Sequence, residues 1–167
     1  MNQVKYPGVQ VTAAVVNGKI RMWKYVEGKW NADAAVAMYR ELAKVLKKAY
    51  PHHEGRFSVI EDNDPSGFKC KRAIVEKAKL KLVTDDLPKR SPDLNVLDYC
   101  LWHEINVRMR AQERTFSRSK VESLAAFKTR LRKTAMGLPT SLVKKAVTDM
   151  KRRCKIISDA QGELFTE

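Results

Sequence analysis

Cysteine is scarce in this chain of 167 residues: there are three, Cys70, Cys100 and Cys154, far apart. With only His52, His53 and His103 beside them they form no CxxC, no CxxCH and no zinc-finger spacing. A disulfide framework and a Cys/His metal centre are therefore excluded, and free thiols in a reducing compartment are expected. Long apolar runs are missing as well. The longest uncharged apolar-rich stretch, Gly8 to Val16, is far shorter than the roughly 20 residues a membrane span needs. The opening Met-Asn-Gln-Val-Lys-Tyr-Pro-Gly carries no apolar core behind a basic region, so neither export nor a membrane partner is expected. Hydrophobic residues at 44% and charged residues at 31% set aside disorder, collagen-like repeats and a coiled coil. No linker, repeat or low-complexity tract interrupts residues 1–167, which read as a single domain large enough to bury a core without staples.

Positive charge is what the chain has in excess. Thirty-three Lys and Arg against 19 Asp and Glu give a net +14, which points to a polyanionic partner. The excess is uneven: residues 1–60 carry +6, residues 61–113 are neutral with 10 charges of each sign, and residues 114–167 carry +8. The acids concentrate in the middle.

The pattern along the chain alternates in type. Residues 8–16 are rich in β-branched side chains, Asn17-Gly18 is a strong two-residue hairpin signal, and Lys19 to Val26 alternates polar and apolar, which predicts an antiparallel hairpin. Asn31 is placed to cap a helix with Asp33 in its first turn, and Val36, Tyr39, Leu42, Val45, Leu46 and Ala49 form its apolar stripe before Pro51. Phe57-Ser58-Val59-Ile60 reads as a buried strand that ends at the turn-rich Asp62-Asn63-Asp64-Pro65-Ser66-Gly67. A helix over 69–79 and a strand at Leu80-Lys81-Leu82-Val83 complete a parallel crossover, so the class is α/β. Helices are then expected over 95–111, over 119–136 with a capping box at Ser119-Lys120-Val121-Glu122 and a stop at Gly137, and over 141–156. On the second of these, Leu124, Phe127, Leu131 and Met136 form the expected inward stripe.

Two acids stand where chemistry could occur. Asp62 follows the C-terminal end of an apolar strand, the edge at which open α/β sheets present side chains to a crevice; alternatively it only initiates an Asx turn. Asp98 shares a helical face with Leu101, Trp102, Ile105 and Met109, where a carboxylate needs a partner; alternatively it completes a capping box with Asn95. Two carboxylates brought together repel unless a proton or cation neutralises them, and oxygen donors suit magnesium or manganese. Such ions activate an attacking hydroxyl and stabilise the leaving oxygen at phosphorus, and basic flanks would hold the substrate backbone. His52-His53 is read as a solvated turn, His103 and the Lys151, Arg152, Arg153, Lys155 group as helix surface, and Trp23, Trp30 and Trp102 as core.

The Asp62-Asn63 pair after Phe-Ser-Val-Ile-Glu, followed by Ser91-Pro92-Asp93-Leu94-Asn95-Val96-Leu97-Asp98-Tyr99 with Leu101-Trp102, resembles the catalytic domain of mariner-superfamily DDE transposases. The likeness extends over about residues 8–113, with 35 residues between the two acids, and leaves 114–167 as basic C-terminal helices. It implies a ribonuclease-H-like fold: a mixed sheet of an antiparallel hairpin plus parallel strands, flanked by helices, with a helical C-terminal part. It also implies Asp62 and Asp98 as catalytic and metal-binding acids, Mg2+ or Mn2+ as cofactor with no small-molecule cofactor, and DNA as partner, with a homodimer as a further option. Lys69, Lys71, Arg72, Lys89, Arg90, Arg108 and Arg110, around the two acids, become the candidates for holding DNA. An intracellular site, the nucleus in a eukaryote, is expected.

The chain also departs from that pattern. No acid precedes Glu27, so the family's first catalytic Asp and the central strand that carries it are absent from this sequence, as in an N-terminally truncated copy. Asp64 and Phe68 stand where the family often has Ala and His, which leaves Glu61, Asp62 and Asp64 as alternatives for facing a metal; Asp62 is chosen for its match to the Asp-Asn pair. The hairpin is expected to close directly against the Phe57 strand. The resulting expectation is a DNA-binding, endonuclease-like domain with little or no cleavage of its own. A basic nucleic-acid-binding module or a dimerisation remnant without catalysis is the alternative.

Overall fold

The computed structural model describes residues 8–89, 91–115 and 122–160. Strands β1 (Val11–Val16) and β2 (Lys19–Tyr25) form the hairpin, followed by α1 (Ala32–Ala49), β3 (Phe57–Glu61), α2 (Lys71–Lys79) and β4 (Leu82–Asp86). A 3-10 turn at Pro92–Leu94 and a π-helical turn at Leu97–Leu101 lead into α3 (Trp102–Glu113), and α4 (Leu124–Met136) and α5 (Thr140–Asp159) follow. No helix among the described residues is long and apolar enough to cross a membrane.

The hairpin forms because Asn17 and Gly18, at φ 51° and 67°, supply the two left-handed positions that match the twist of the flanking strands. A bulge between Ala14 and Val15 then shifts the register, so that Val15 faces Ile20. Helix α1 starts where Asn31 accepts the Ala34 amide at 3.0 Å, and it buries Ala35, Val36, Met38, Tyr39, Leu42, Ala43 and Leu46. These side chains pack with Val16 and Met22 of the hairpin and with Ala73 and Leu82, so one helix underlies both the hairpin and the β3–β4 pair. Each large side chain buried there contributes about 1.5–3 kcal/mol. On the other face of the hairpin, Ile20 and Trp23 pack against Leu101, Ile105, Met109, Ala135, Leu138, Val143 and Ala146.

Strands β3 and β4 pair in parallel, Phe57 opposite Leu82 and Glu61 opposite Asp86, as the crossover requires. Several local expectations differ. The hairpin does not close on the Phe57 strand: among the described residues β1–β2 and β3–β4 are separate two-stranded sheets. Among the described residues the Phe57 strand is buried on one face only, with Ile60 56% exposed on the other. The helix expected from 119 begins at Leu124, where Ser123 caps it by accepting the Ala126 amide at 3.2 Å. Ser119 to Val121 lie outside the described residues. Leu124 and Met136 are exposed at the ends of that helix, beyond the span that α3 covers, while Thr134 and Ala135 are buried.

Candidate functional site

Asp62 emerges one residue past β3, exposed, with its Oδ1 accepting the Asn63 amide at 2.8 Å. Its neighbours are committed elsewhere. Glu61 is buried, with Oε1 receiving the Lys77 ammonium at 2.7 Å and Oε2 the Tyr39 hydroxyl. Asp64 accepts the Trp30 indole N–H at 2.7 Å, the Gly67 amide at 2.8 Å and the Ser66 hydroxyl at 2.9 Å. Of the three acids left open by the sequence, Asp62 alone presents its carboxylate to solvent at the strand end.

The Glu61 cluster sets that strand end. Lys77 also donates to Thr84 Oγ1 at 3.1 Å and lies 5.2 Å from the Tyr39 ring centre, while Lys69 bonds Asp86 and stands 3.9 Å from Glu61. The Leu87 amide closes the ladder onto the Glu61 carbonyl at 2.9 Å. Burial, and then the bond to anionic Glu61, drive the Tyr39 hydroxyl far above its ordinary pKa, so it remains a donor. The sequence did not reveal this network. Its only trace is that Lys77 falls four residues after the buried Ala73, on the inward face of α2.

Asp98 sits in the π-helical turn. The Asp98 amide donates to the Asn95 carbonyl at 2.9 Å, and Asn95 Oδ1 accepts the Leu97 amide at 3.1 Å, so Asn95 caps the turn. The wider turn takes Asp98 out of the inward stripe: Leu101, Ile105 and Met109 are buried, and Asp98 is exposed. Such turns recur at functional sites because they re-aim one residue. Although solvent reaches it, partial desolvation raises the Asp98 pKa first, and the charge of Asp62 raises it further, against hydrogen bonds from Trp102 and Asn95 that lower it. The Asp62 charge thus reaches Asp98, which brings the strand end and the start of the helix together.

The basic candidates divide. Lys71, Lys89 and Arg110 are exposed, Lys69 is tied to Asp86, Arg72 pairs with Asp33 at 2.6 Å, and Arg108 lies half-buried, 3.7 Å from Glu104. Arg90 lies outside the described residues. Arg153, read as helix surface, is buried instead: its guanidinium stacks 4.2 Å from the Tyr99 ring centre and bonds Asp149 at 2.8 Å.

This layout of hairpin, long helix, acid-tipped strand, crossover and acid-bearing helix start has counterparts among solved structures. The catalytic domain of Mos1 mariner transposase superposes with a TM-score of 0.80 at 15% identity, over 95% of this chain and 76% of that one. The chain has the fold of a mariner transposase catalytic domain. The Mos1 catalytic domain described with raltegravir and Mg aligns at 0.77 and 16% identity over 95% and 77% of the two chains. The Mos1 paired-end complex with Mn aligns at 0.77 and 15% over 99% and 48%. In sequence, 107 residues, 64% of this chain, are 29% identical to the Tc1 transposase of Caenorhabditis elegans, of which they span 36%, about a third of its length. No family model matches the chain.

Both Asp62 and Asp98 present exposed carboxylate oxygens, the donor type that a hard divalent cation takes. Magnesium commonly takes one or two carboxylates and completes its shell with water and phosphate oxygens. Among the described residues no group of three His, Cys, Asp or Glu side chains is arranged to hold a metal.

Proposed function

We propose that this domain is a transposase-derived DNA-binding module in which Asp62 and Asp98 hold Mg2+ or Mn2+ against a DNA phosphate. The observation that carries the reading is that Asp62 at the strand end and Asp98 at the start of the last sheet-side helix are both exposed and near enough for the Asp62 charge to reach Asp98, while Glu61 and Asp64 are engaged by other partners. A divalent ion there supplies charge for a phosphoryl oxygen and acidifies bound water. The chain itself does the rest: Asn95 and Trp102 orient the Asp98 carboxyl, the buried Glu61 cluster fixes the strand that ends at Asp62, and Lys71, Lys89 and Arg110 offer exposed charge to the DNA backbone. With no third acid beside this pair among the described residues, strand cleavage by this chain is expected to be weak.

Titration with magnesium or manganese tests the reading. The thermal midpoint should rise with either ion, and Asp62→Ala or Asp98→Ala should abolish the rise. No rise in the wild type overturns it. Duplex-DNA affinity should fall steeply with salt through counterion release. If affinity falls that way while metal has no effect, the domain is a basic binding module and the acids are only a turn and a cap.

A further inference from the structure

We propose that Arg153 is a positioning residue for Asp98: helix α5 grips the π-helical turn through the Tyr99 ring and so fixes where the neighbouring carboxylate points. The inference rests on the reading of Asp62 and Asp98 as a divalent-cation pair, and it names the part of the chain that holds the second acid in place. On α5, Lys144, Lys145, Lys151, Arg152 and Lys155 are exposed, whereas Arg153 is 8% exposed. Burying a guanidinium is costly unless a carboxylate and further contacts answer it. Asp149, one turn earlier, accepts Arg153 Nε at 2.8 Å, and the Tyr99 ring lies with its centre 4.2 Å from the guanidinium carbon. Stability alone does not call for this arrangement, because an apolar side chain of similar volume would pack on the ring without the desolvation cost. A planar cation does what such a side chain cannot: it lies flat on the ring while its edge is tied to Asp149.

The contacts reach the turn from one face of α5. Val143, Ala146, Asp149 and Arg153 follow one another at helical spacings of three, three and four. Val143 is fully buried, and the Ala146 carbonyl accepts the Tyr99 hydroxyl. Tyr99 is thereby held at its hydroxyl by one turn of α5 and at its face by the next but one. Two residues further on, Leu101 is fully buried in the cluster that contains Ile20 and Trp23 of the hairpin. Asp98, directly before Tyr99, is exposed, so its direction follows from the backbone that Tyr99 anchors. π-Helical turns are rare, so tertiary contacts must select this one over an ordinary turn. A ligating carboxylate has to be held within about 0.5 Å of its productive position by the shell behind it, and the Tyr99 clamp is such a shell.

Titration of the full chain with Mn2+, the free ion being counted by electron paramagnetic resonance, tests the clamp together with amide hydrogen exchange of the metal-free protein. Arg153→Met keeps an aliphatic stem on the ring and leaves Asp149 paired with Arg152 at 2.6 Å, so α5 should remain folded. Its Mn2+ affinity should fall about tenfold. The Asp98, Tyr99 and Trp102 amides, which bond the Asn95 and Leu97 carbonyls, should exchange about tenfold faster, with the amides of α1 unchanged. Tyr99→Phe loses the bond to Ala146 and should move both readouts the same way by a smaller factor, and Arg153→Lys should resemble Arg153→Met. In a Tyr99→Leu background Arg153→Met should weaken Mn2+ binding no further, because the ring through which it acts is gone. An Arg153→Met protein that binds Mn2+ as the wild type does, or whose turn amides keep wild-type rates, overturns the clamp and leaves the Asp62 and Asp98 pair standing. An equal loss in the Tyr99→Leu background overturns it too, since Arg153 would then act by its charge. A wild type that binds no Mn2+ removes the site itself, and the clamp with it, before any variant is compared.

Discussion

The hairpin half of the molecule is covered on both faces, by α1 on one side and by α3, α4 and α5 on the other, and its interior is almost wholly apolar. Among the described residues the parallel half is covered on one face only. Ile60 and Val83 are 56% and 42% exposed on its outer side, and the inner side is held by a buried ion pair, Glu61 with Lys77. The difference separates two ways of fixing a strand. Apolar packing dominates around the hairpin, whereas at the strand that ends at Asp62 a buried charge cluster is added to the apolar packing. A site that works by orienting a carboxylate is served by the second device, because Tyr39, Lys77 and Thr84 tie three different elements to the residue next to Asp62.

The sharpest way to break this contrast is Lys77→Met. It strands the Glu61 carboxylate in a buried site and should cost about 3–5 kcal/mol in chemical denaturation, with Glu61→Gln added in the same chain recovering much of the loss. If the single variant costs less than 1 kcal/mol, the pair does not hold the strand. In the hairpin half the corresponding experiment is Leu101→Ala. This side chain is fully buried beside Ile20 and Trp23, and its truncation should cost about 2–5 kcal/mol through lost transfer energy and the cavity left behind. No second substitution of opposite polarity should rescue it. Recovery by pairing in one half and not in the other is the measurable form of the distinction.

The two halves were also unequally legible. Asn17-Gly18, the Asn31 cap and the stripe of α1 are local signals, and each produced its element at the expected place because sequence neighbours are the physical partners. Asp62 was placed at a strand end for the same reason. What the sequence could not display were partnerships across distance. Lys77 looks like one more lysine on a polar helix, and Glu61 like a strand terminus, until the fold sets their side chains 2.7 Å apart. Arg153 reads as surface until Tyr99 and Asp149 close over it. The π-helical turn was invisible too, since five residues with ordinary helix propensity carry no mark of a widened turn, and within it Asp98 is exposed rather than on the buried stripe.

A smaller effect concerns pH at the candidate site. The folded Asp98 pKa lies above the ordinary carboxylate value, so this group stabilises the fold fully below the unfolded pKa, and that contribution is lost as pH rises through the folded pKa. Asp98→Asn should therefore match the wild type at acid pH and melt at higher temperature once pH exceeds that window. Saturating manganese should close the gap by stabilising only the wild type. Equal curves at every pH would remove the coupling between Asp98 and Asp62 on which the proposed site is built.

The opposite sign is expected one turn away. Partial burial raises the Asp64 pKa, but hydrogen bonds from the Trp30 indole, the Ser66 hydroxyl and the Gly67 and Ser66 amides outweigh it, and the net shift is downward. A lowered folded pKa stabilises above the unfolded value and is lost as pH falls through the folded one. Trp30→Phe removes the 2.7 Å indole donor and keeps a ring against Phe68, now 5.1 Å from the indole. It should cost about 0.5–1.5 kcal/mol at neutral pH. The two melting curves should then converge on acidification, because the wild type loses a contribution the variant never had. Curves that stay parallel down to low pH would mean that Trp30 holds this loop by packing alone, and the division between a half dominated by apolar packing and a half to which charge is added would have to be redrawn at Asp64.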